Sequence, residues 1–562
     1  MSIAGLDIGT KALQASLLAL EVTGQNIANV NTPDYTRQRV RLATDLTIQK
    51  PWGPMGTGVT VQGIEQIKDE FIDREIRNQM SAFKKSDVIF QSYNQLQSIY
   101  NEGQGFGLNE RIGDFFNSLH DLAAFPEDIA MRTAILGEAD TLTNQIQFIN
   151  DQLDQIRLDL DVELRSRVGE VNNILAEIAD YNVDIASLES GTNTVANDLR
   201  DKRDGALKEL SEYMEITVTE MNTGAVNVST NGRQLVYAGE YNTLGTKLKS
   251  NDELVLHEVV ISGTSDVINF QSGAIGGILQ FRDTDVIAYR DNLDTLAETF
   301  IQEFNKIHSE GRGLVGYTDT TSVYSVNADT DVLNSAGLAL TPQDGSFDIV
   351  IYDESTCQDT TYTIDVDLDG VGADDTLNTI AAKITAAAGE VTAVANGTLQ
   401  ITTSSGYTVS FANDSSDFLA AIGINTFFTG ADASDIAVNQ DLIDNPQLVA
   451  AAQSGNPGDN SNALAMAQLR NSLVLTSGSQ TFESFYQGEI SRLGSETKQA
   501  DIEVESDAAF LQQVQLRRES VSGVSLDEEA ANMMKYQASL QAAAKFINVM
   551  DDMLNVLVNG LI

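Results

Sequence analysis

The stretch LDEEAANMMKYQASLQAAAKFINVMDDMLNVLV, at residues 526–558, decides how the chain is organised. Its apolar residues recur at intervals of three and four, which places them on one stripe of a helix and is typical of a coiled coil. At 1.5 Å per residue such a helix would be about 50 Å long. The sequence therefore predicts a terminal rod whose stripe needs a partner. This stripe consists of Met533, Tyr536, Leu540, Ala543, Ile547, Met550, Leu554 and Leu557.

The start of the chain has the same spacing, in Leu6, Thr10, Leu13, Leu17, Leu20, Gly24 and Ile27. We expect the two ends to pair. A stripe that only two helices share stays partly exposed to water, so we also expect other copies or other proteins to complete its burial. The predicted assembly seam consists of Leu6, Leu13, Leu17, Leu20, Ile27, Met533, Tyr536, Leu540, Ile547, Met550, Leu554 and Leu557.

A turn is specified directly after the first stripe. Asparagine tolerates the left-handed conformation that closes a helix, and Pro33 disfavours helical geometry at Thr32. The helix should therefore end here. The residues of this signature turn that we single out are Asn26, Asn29, Asn31, Pro33 and Tyr35.

The segment from Ala12 to Gln38, with its run Asn29-Val30-Asn31-Thr32-Pro33, resembles the N-terminal signature of bacterial flagellar rod, hook and hook-associated proteins. Within that group the chain is most similar to the hook-associated protein 1 family. The family usually has glycine where this chain has Asp34, and aspartate suits a type I turn or an occasional left-handed residue. The tail at 521–530 and the charged run at 197–204 are also similar to the family.

This resemblance implies a structural junction protein that joins hook to filament and polymerises as a ring through its terminal helices. The implied partners are other copies of the chain, the hook protein, the second junction protein (hook-associated protein 3) and an export chaperone on the C-terminal helix. The implied location is extracellular, in the flagellum, after type III export without a cleaved signal peptide. The resemblance implies neither a cofactor nor an enzyme activity.

Independently of this resemblance, the composition disfavours several classes of partner and of protein. The chain has 562 residues and a formal net charge of -47, which disfavours nucleic acid and anionic membranes as partners because phosphate binding needs clustered cations. The single cysteine, Cys357, excludes an internal disulfide. The sequence has no run of 18 apolar residues, so we expect no membrane insertion. Three basic residues, Arg37, Arg39 and Arg41, alternate on a predicted strand, either as a solvated face or as a contact for an acidic neighbouring subunit.

The hydrophobic period changes along the chain. Helical spacing dominates from about residue 69, period-two alternation begins at Ile216 with a hairpin signal at Asn231-Gly232, and a mixed region spans about 330–440. The predicted fold class is mainly α with β insertions: a terminal coiled-coil rod, a long-helix bundle domain and two inserted domains, one β-rich and one α+β. The predicted regions are the terminal polymerisation region (1–40 with 523–562), the helical bundle (41–215 with 276–329 and 441–522), a small antiparallel β insert (216–275) and an outer α+β insert (330–440).

Two alternatives stay open at this point. Another flagellar axial subunit, of hook, rod or flagellin type, would grow into long polymers by itself. An enzyme would need a pocket with convergent carboxylates in an insert. The three histidines are far apart in the sequence, and the acidic turn that begins at Asp365 has Thr376 where a calcium loop needs a bidentate acid. We therefore predict neither a catalytic nor a metal site.

Overall fold

The computed structural model describes residues 2–100, 107–190, 194–250, 254–456 and 458–559, with the backbone alone for 2–4 and 557–559. The fold is mainly α with several small β-sheets, which confirms the predicted fold class. The α-helices in this part of the chain are α1 (Ser2–Ala28), α2 (Glu70–Ile99), α3 (Leu108–Ala124), α4 (Ile129–Glu189), α5 (Asn197–Tyr213), α6 (Gly273–Gln280), α7 (Val286–Ser309), α8 (Leu377–Ala387), α9 (Phe418–Ile422), α10 (Gln440–Asp444), α11 (Ser461–Gln468), α12 (Phe482–Ser522) and α13 (Leu526–Asn559).

The strands are short and pair antiparallel. They are β1 (Gln38–Thr44), β2 (Thr47–Lys50), β3 (Gly53–Gly56), β4 (Val59–Gln66), β5 (Thr217–Glu220), β6 (Val226–Thr230), β7 (Arg233–Tyr237), β8 (Glu240–Tyr241), β9 (Leu244–Leu248), β10 (His257–Ile261), β11 (Asp319–Thr321), β12 (Gly345–Asp353), β13 (Gln358–Val366), β14 (Val391–Asn396), β15 (Thr398–Thr403), β16 (Tyr407–Ala412), β17 (Phe428–Thr429) and β18 (Ala437–Val438).

The chain divides into two compact units. The first comprises Met1–Ser92, Leu158–Asp283 and Lys498–Ile562, and the second comprises Tyr93–Arg157 and Thr284–Thr497. These units do not coincide with the four predicted regions, because α2, α4 and α12 contribute residues to both units. The division into four regions stays a prediction.

In the first unit, α2 packs against α12 through the buried residues Ile72, Ile76, Met80, Leu511 and Val514. The sheet β5-β6-β7-β8 is anchored on α4 by the buried Asn182. The Asn182 amide donates to the carbonyl oxygens of Val226 (2.8 Å) and Ala238 (2.7 Å). Strands β6 and β7 are joined by Asn231 and Gly232, both with positive φ (46° and 75°). This is the hairpin turn that the Asn-Gly pair predicts.

In the second unit, buried phenylalanines from α3, α7 and β17 form an aromatic cluster. Phe115 lies 5.7 Å from Phe300 and 5.2 Å from Phe304 between ring centroids. Within residues 330–440, β12, β13 and β16 form one sheet, β14 and β15 form another with β11 from outside this range, and β17 pairs with β18. The helix α8 lies between β13 and β14 in the sequence. Among the described residues, no helix is both long enough and apolar enough to span a bilayer.

Candidate functional site

The two terminal helices pair within one chain, and they run antiparallel. Near the start of α1, Gly5 and Gly9 lie against Met550 and Ile547 of α13. Near its end, the Asn26 amide donates to Glu529 at the beginning of α13, at 3.3 Å. The predicted partnership between the two ends is therefore present in the structure.

Small residues form the buried face of α1. Gly9, Ala15 and Ala19 are buried, followed by Val22 and Thr23. A Cβ atom added to Gly9 would lie only 2.8 Å from Cγ1 of Ile547, so the absence of a side chain lets the two backbones approach closely. This face lies about one position N-terminal to the predicted stripe of α1. Periodicity read from large apolar residues misses it, because glycine and alanine contribute little to such a pattern.

The predicted stripe of α13 lies on the less exposed side of the helix, and its role as an assembly seam stays a prediction. The described side chains at these positions are partly or fully buried, while their immediate neighbours on either side are mostly exposed. The stripe packs toward α1 through its larger residues, as the contacts of Ile547 and Met550 with the α1 glycines illustrate. The seam residues placed in this way are Met533, Tyr536, Leu540, Ile547, Met550 and Leu554; the side chain of Leu557 lies outside the described residues.

The pair leaves apolar side chains exposed beside its partly buried seam. On α1, Leu17 is 44% exposed, and Leu6, Leu13, Leu20 and Ile27 are half-buried. On α13, a second set of apolar residues is exposed at intervals of three and four: Phe546, Val549, Met553 and Val556. This spacing is that of another helix-packing stripe. We call these four residues the flanking stripe.

Asn26 of the signature turn is the centre of a buried hydrogen-bond network, with only 1% of its surface exposed. Its Oδ1 accepts from the backbone N–H of Gln38 (3.0 Å) and from the Tyr35 hydroxyl (2.9 Å). Its Nδ2 donates to the Gln38 carbonyl oxygen (2.9 Å) and to Glu529 Oε2 (3.3 Å). One side chain therefore joins the end of α1, the turn, strand β1 and the start of α13. Burial raises the pKa of Tyr35, which keeps its hydroxyl protonated as a donor.

Glu529 supplies a buried negative charge, and Arg37 neutralises it. The Arg37 Nε and Nη2 atoms each lie 2.7 Å from Glu529 Oε1, and Nη1 lies 2.7 Å from the exposed Glu528. The Arg37 backbone N–H also donates to the Ser522 carbonyl oxygen at 3.0 Å. Removing one partner of such a buried pair leaves an uncompensated charge. Arg37 and Glu529 were not among the predicted site residues, although both lie in segments that resemble the flagellar family.

The other residues of the signature turn are less buried. Asn29 closes the helix locally, because its Nδ2 donates to the Gln25 carbonyl oxygen (3.0 Å) and its Oδ1 accepts from the Thr32 hydroxyl (3.1 Å). Asn31 and Pro33 are exposed. Asp34 adopts a left-handed φ of 57°, a conformation that glycine adopts without strain. Its carboxylate accepts from Lys208 at 3.0 Å.

A second carboxylate, Asp201 of α5, holds the residue after the turn. Its Oδ2 accepts from the Thr36 backbone N–H (3.3 Å) and its Oδ1 accepts from Gln66 (2.8 Å). Burial raises the pKa of Asp201 to about 6, and the nearby Asp204 carboxylate adds to this rise, while the hydrogen bonds from Thr36 and the charge of Arg518 oppose it.

This raised pKa predicts a pH dependence of stability. Between about pH 4 and 6 the folded chain keeps a proton on Asp201 that the unfolded chain has lost, since the ordinary pKa is 3.8. The contribution of Asp201 to the free energy of unfolding should therefore fall as the pH rises through this window. We expect Asp201→Asn to remove that part of the slope when urea unfolding is measured from pH 4 to 7. Identical slopes for the two proteins would contradict the assignment.

The histidines occupy separate structural positions. His120 is exposed on α3. His257 contacts the Asp161 carboxylate at 2.8 Å, and the same carboxylate accepts from the buried Arg282. Burial lowers the pKa of His308 to about 4. Its neutral ring donates from Nδ1 to the Asn425 carbonyl oxygen (2.8 Å) and accepts at Nε2 from the Ala450 N–H (3.0 Å).

The acidic turn of the outer insert is the place where a cation could be held. Oxygen atoms of Asp367, Asp369 and Asp374 lie within 4.8 Å of one another. Thr376, at the position where a calcium loop needs a bidentate acid, instead caps the N-terminus of α8 and accepts from the Thr379 N–H at 3.3 Å. Its role is therefore explained by helix capping.

Three family descriptions match the chain. Residues 93–322 match the "Flagellar hook-associated protein FlgK helical domain". Residues 518–560 match the "Flagellar basal body rod FlgEFG protein C-terminal", and residues 6–36 match the "Flagella basal body rod protein". The two terminal matches include most of α1, all of α13 and all five residues of the signature turn.

Relatives of this chain are similar over nearly its whole length. Flagellar hook-associated protein 1 of Escherichia coli K12 is 27% identical, with 97% of this chain and 98% of the relative covered. The protein of the same name from Bacillus subtilis is 26% identical, with 99% and 98% covered. Among solved structures, the flagellar hook junction protein FlgK from Burkholderia pseudomallei has a similar fold, with a TM-score of 0.52 and 17% identity, covering 80% of this chain and all of that one.

Proposed function

Because the chain belongs to the flagellar hook-associated protein 1 family, we propose that it joins the hook to the filament of the bacterial flagellum as a structural protein that polymerises through its terminal helices. In this proposal α1 and α13 form the contact region with neighbouring subunits, and several copies complete a ring. The function is mechanical, and no catalytic step is needed.

The observation that supports this mechanism best is the flanking stripe. Phe546, Val549, Met553 and Val556 are exposed, although the neighbouring seam of α13 is already partly buried in the pair with α1. Exposed apolar residues in a continuous row are a feature of interaction surfaces. A neighbouring subunit that covers this stripe and Leu17 would gain roughly 25 cal/mol for each Å² of apolar surface that it buries.

The partners follow from the position in the flagellum. Other copies of the chain lie beside it, the hook protein below, and the second junction protein, hook-associated protein 3, above. Before assembly, the exposed flanking stripe of α13 would promote aggregation. An export chaperone bound to the C-terminal helix would cover this stripe and prevent aggregation. The chain would reach the extracellular side through the flagellar export apparatus, without a cleaved signal peptide.

We expect the double substitution Val549→Lys and Met553→Lys to abolish filament attachment. Both side chains are exposed, so the charges cost little in the single chain, but burying them in a contact would cost several kcal/mol. The measurement is the fraction of hooks that bear filaments, by electron microscopy of cells producing the variant as their sole copy. Circular dichroism of the purified variant should match that of the parent.

The matched control is Val371→Lys, at an exposed position in the outer insert. It should leave filament attachment unchanged. Normal filaments on cells with the double variant would exclude the flanking stripe as a subunit contact.

A second candidate is another axial subunit of the flagellum, of rod, hook or flagellin type. It is favoured only by the matches of both ends to descriptions of rod proteins. Polymer length separates the two functions, because a junction protein should stop at a short ring. Growth of the purified chain into long filaments would support the second candidate.

A further inference from the structure

A two-stranded ribbon that follows the signature turn exposes an unusual number of apolar side chains. We call residues 38–66 the β-ribbon: β1 pairs with β4, and β2 pairs with β3 at its far end. Leu46 is 78% exposed, and Trp52, the single tryptophan of the chain, is 68% exposed. The exposed apolar residues are Leu42, Leu46, Ile48, Trp52, Met55 and Val61.

The β-ribbon is held in a defined conformation. Between its two halves, the Asp45 N–H donates to the Gly58 carbonyl oxygen (3.0 Å) and the Thr57 N–H donates to the Leu46 carbonyl oxygen (3.1 Å). Lys11 of α1 holds the same junction through a contact of 2.7 Å with the Asp45 carboxylate. At its tip, Pro51 and the left-handed Gly53 (φ 125°) specify the turn that presents Trp52.

The exposed apolar residues lie on matching positions of the two strands. Ile48 faces Met55 as its cross-strand partner, and Leu42 faces Val61. Side chains on directly opposite residues lie on the same face of a ribbon. The β-ribbon therefore presents paired apolar side chains, with an aromatic ring at the tip, and aromatic anchors of this kind dominate protein–protein contacts.

The charge of the β-ribbon differs from that of the rest of the chain. It contains three basic residues (Arg39, Arg41 and Lys50) and two acidic ones (Asp45 and Glu65), whereas the whole chain has a net charge of -47. Both arginines share one carboxylate, since Glu65 lies 2.7 Å from Arg39 and 3.8 Å from Arg41. One positive charge is thus left over at this position. Two copies of so acidic a chain repel each other over most of their surfaces, and the β-ribbon is a region where this repulsion is relieved.

We propose that the β-ribbon docks on a neighbouring copy of this chain in the assembled structure, with Trp52 as its apolar anchor and Arg39 and Arg41 facing the acidic surface of that copy. The inference rests on the proposed function and adds a second contact to the one made by the terminal helices. Electrostatic complementarity of this kind favours the correct partner and register. The net negative charge of the chain would repel an anionic membrane, so we infer that the partner of the β-ribbon is another copy of the chain.

The test places a photo-reactive amino acid, p-benzoylphenylalanine, at position 52 of the full chain in assembled flagella. We expect cross-links in which mass spectrometry finds peptides of this chain on both sides. The same amino acid at position 549 reports on the helix contact, and at position 371 it serves as an exposed control that should give no such product. Cross-links from position 549 but none from position 52 would overturn this inference and leave the proposed function standing. Products that join position 52 only to another protein or to lipid would overturn it too.

The charge component is tested by Arg39→Glu with Arg41→Glu in the chain labelled at position 52. We expect at least a tenfold loss of the cross-link between copies. In the chain labelled at position 52 that keeps both arginines, the yield should also fall when salt is raised from about 0.05 to 1 M during assembly, because salt screens exposed charges. A yield that is unchanged by both treatments would contradict the role of the two arginines.

Discussion

Replacing Asn26 by alanine is expected to separate the end of α1 from the beginning of α13. The substitution removes four hydrogen bonds and leaves the Tyr35 hydroxyl and both backbone groups of Gln38 without their partner. An unsatisfied buried polar group costs about 1–3 kcal/mol, so the loss should be roughly 3 kcal/mol or more even when water replaces some of the bonds. It should appear as faster amide hydrogen exchange in residues 2–28 and 526–559.

Asn29→Ala is the matched control, because it removes an asparagine from the same turn. Its bonds are local, to Gln25 and Thr32, and its loss should cost no more than about 1 kcal/mol. Hydrogen exchange in residues 526–559 should therefore stay close to that of the parent chain. Equal effects of the two substitutions would show that the network around Asn26 does not hold α13.

Replacing Asn26 by aspartate tests whether the amide donor of Asn26, and not only its oxygen, is required. Asn26→Asp preserves the acceptor for Tyr35 and for the Gln38 N–H, but it puts a negative charge beside the buried Glu529. Repulsion between like charges in a buried site is strong. We expect this variant to exchange faster than Asn26→Ala at neutral pH and to recover when the pH is lowered, measured on the same peptides.

The terminal pair shows which parts of this arrangement a sequence can predict. The stripe of α13 could be predicted because large side chains such as Tyr536, Leu540 and Ile547 repeat with the helical period. The partner face on α1 could not be predicted in this way, because Gly9, Ala15 and Ala19 pack through their small size. A stripe of small residues opposite a stripe of large ones is the signal that would have identified it.

The network around Asn26 was beyond sequence analysis for a different reason. Asn26 and Glu529 are 503 positions apart, and no local pattern links an amide to a carboxylate at that distance. The asparagines of the turn were correctly expected to end a helix, but that reasoning treats Asn26 and Asn29 alike. Only the fold distinguishes the buried amide from the one that closes its own helix.

The fold class could be predicted because hydrophobic period is a local property. The change to period two near Ile216 and the Asn231-Gly232 pair indicate a hairpin without any knowledge of its surroundings. The boundaries of the two compact units could not be predicted from the hydrophobic period. Long helices such as α4 are continuous in sequence and still contribute residues to both units. Helical periodicity cannot reveal where along a helix the packing partner changes.

Replacing Gly9 by leucine is expected to push α1 and α13 apart, whereas the same substitution at Gly24 is expected to be tolerated. A Cβ atom at Gly9 would lie 2.8 Å from Ile547 Cγ1 and 3.1 Å from Phe546 Cδ1, while nothing lies within 4 Å of one at Gly24. Leucine favours the helix over glycine by less than about 1 kcal/mol at either site. Overpacking at a close contact costs about 1–3 kcal/mol. Gly9→Leu should therefore destabilise the terminal pair, whereas Gly24→Leu should stabilise α1 slightly.

The two variants share the same helix, the same residue exchange and the same gain in helix propensity, so their difference isolates the contact with α13. We expect Gly9→Leu to accelerate hydrogen exchange in residues 526–559 and Gly24→Leu to slow it slightly in residues 2–28. In cells, Gly9→Leu should also reduce filament attachment, since the flanking stripe lies on a helix whose position depends on this contact. If Gly9→Leu leaves α13 as protected as in the parent chain, the close approach of the two helices at Gly9 is not what holds the terminal pair together.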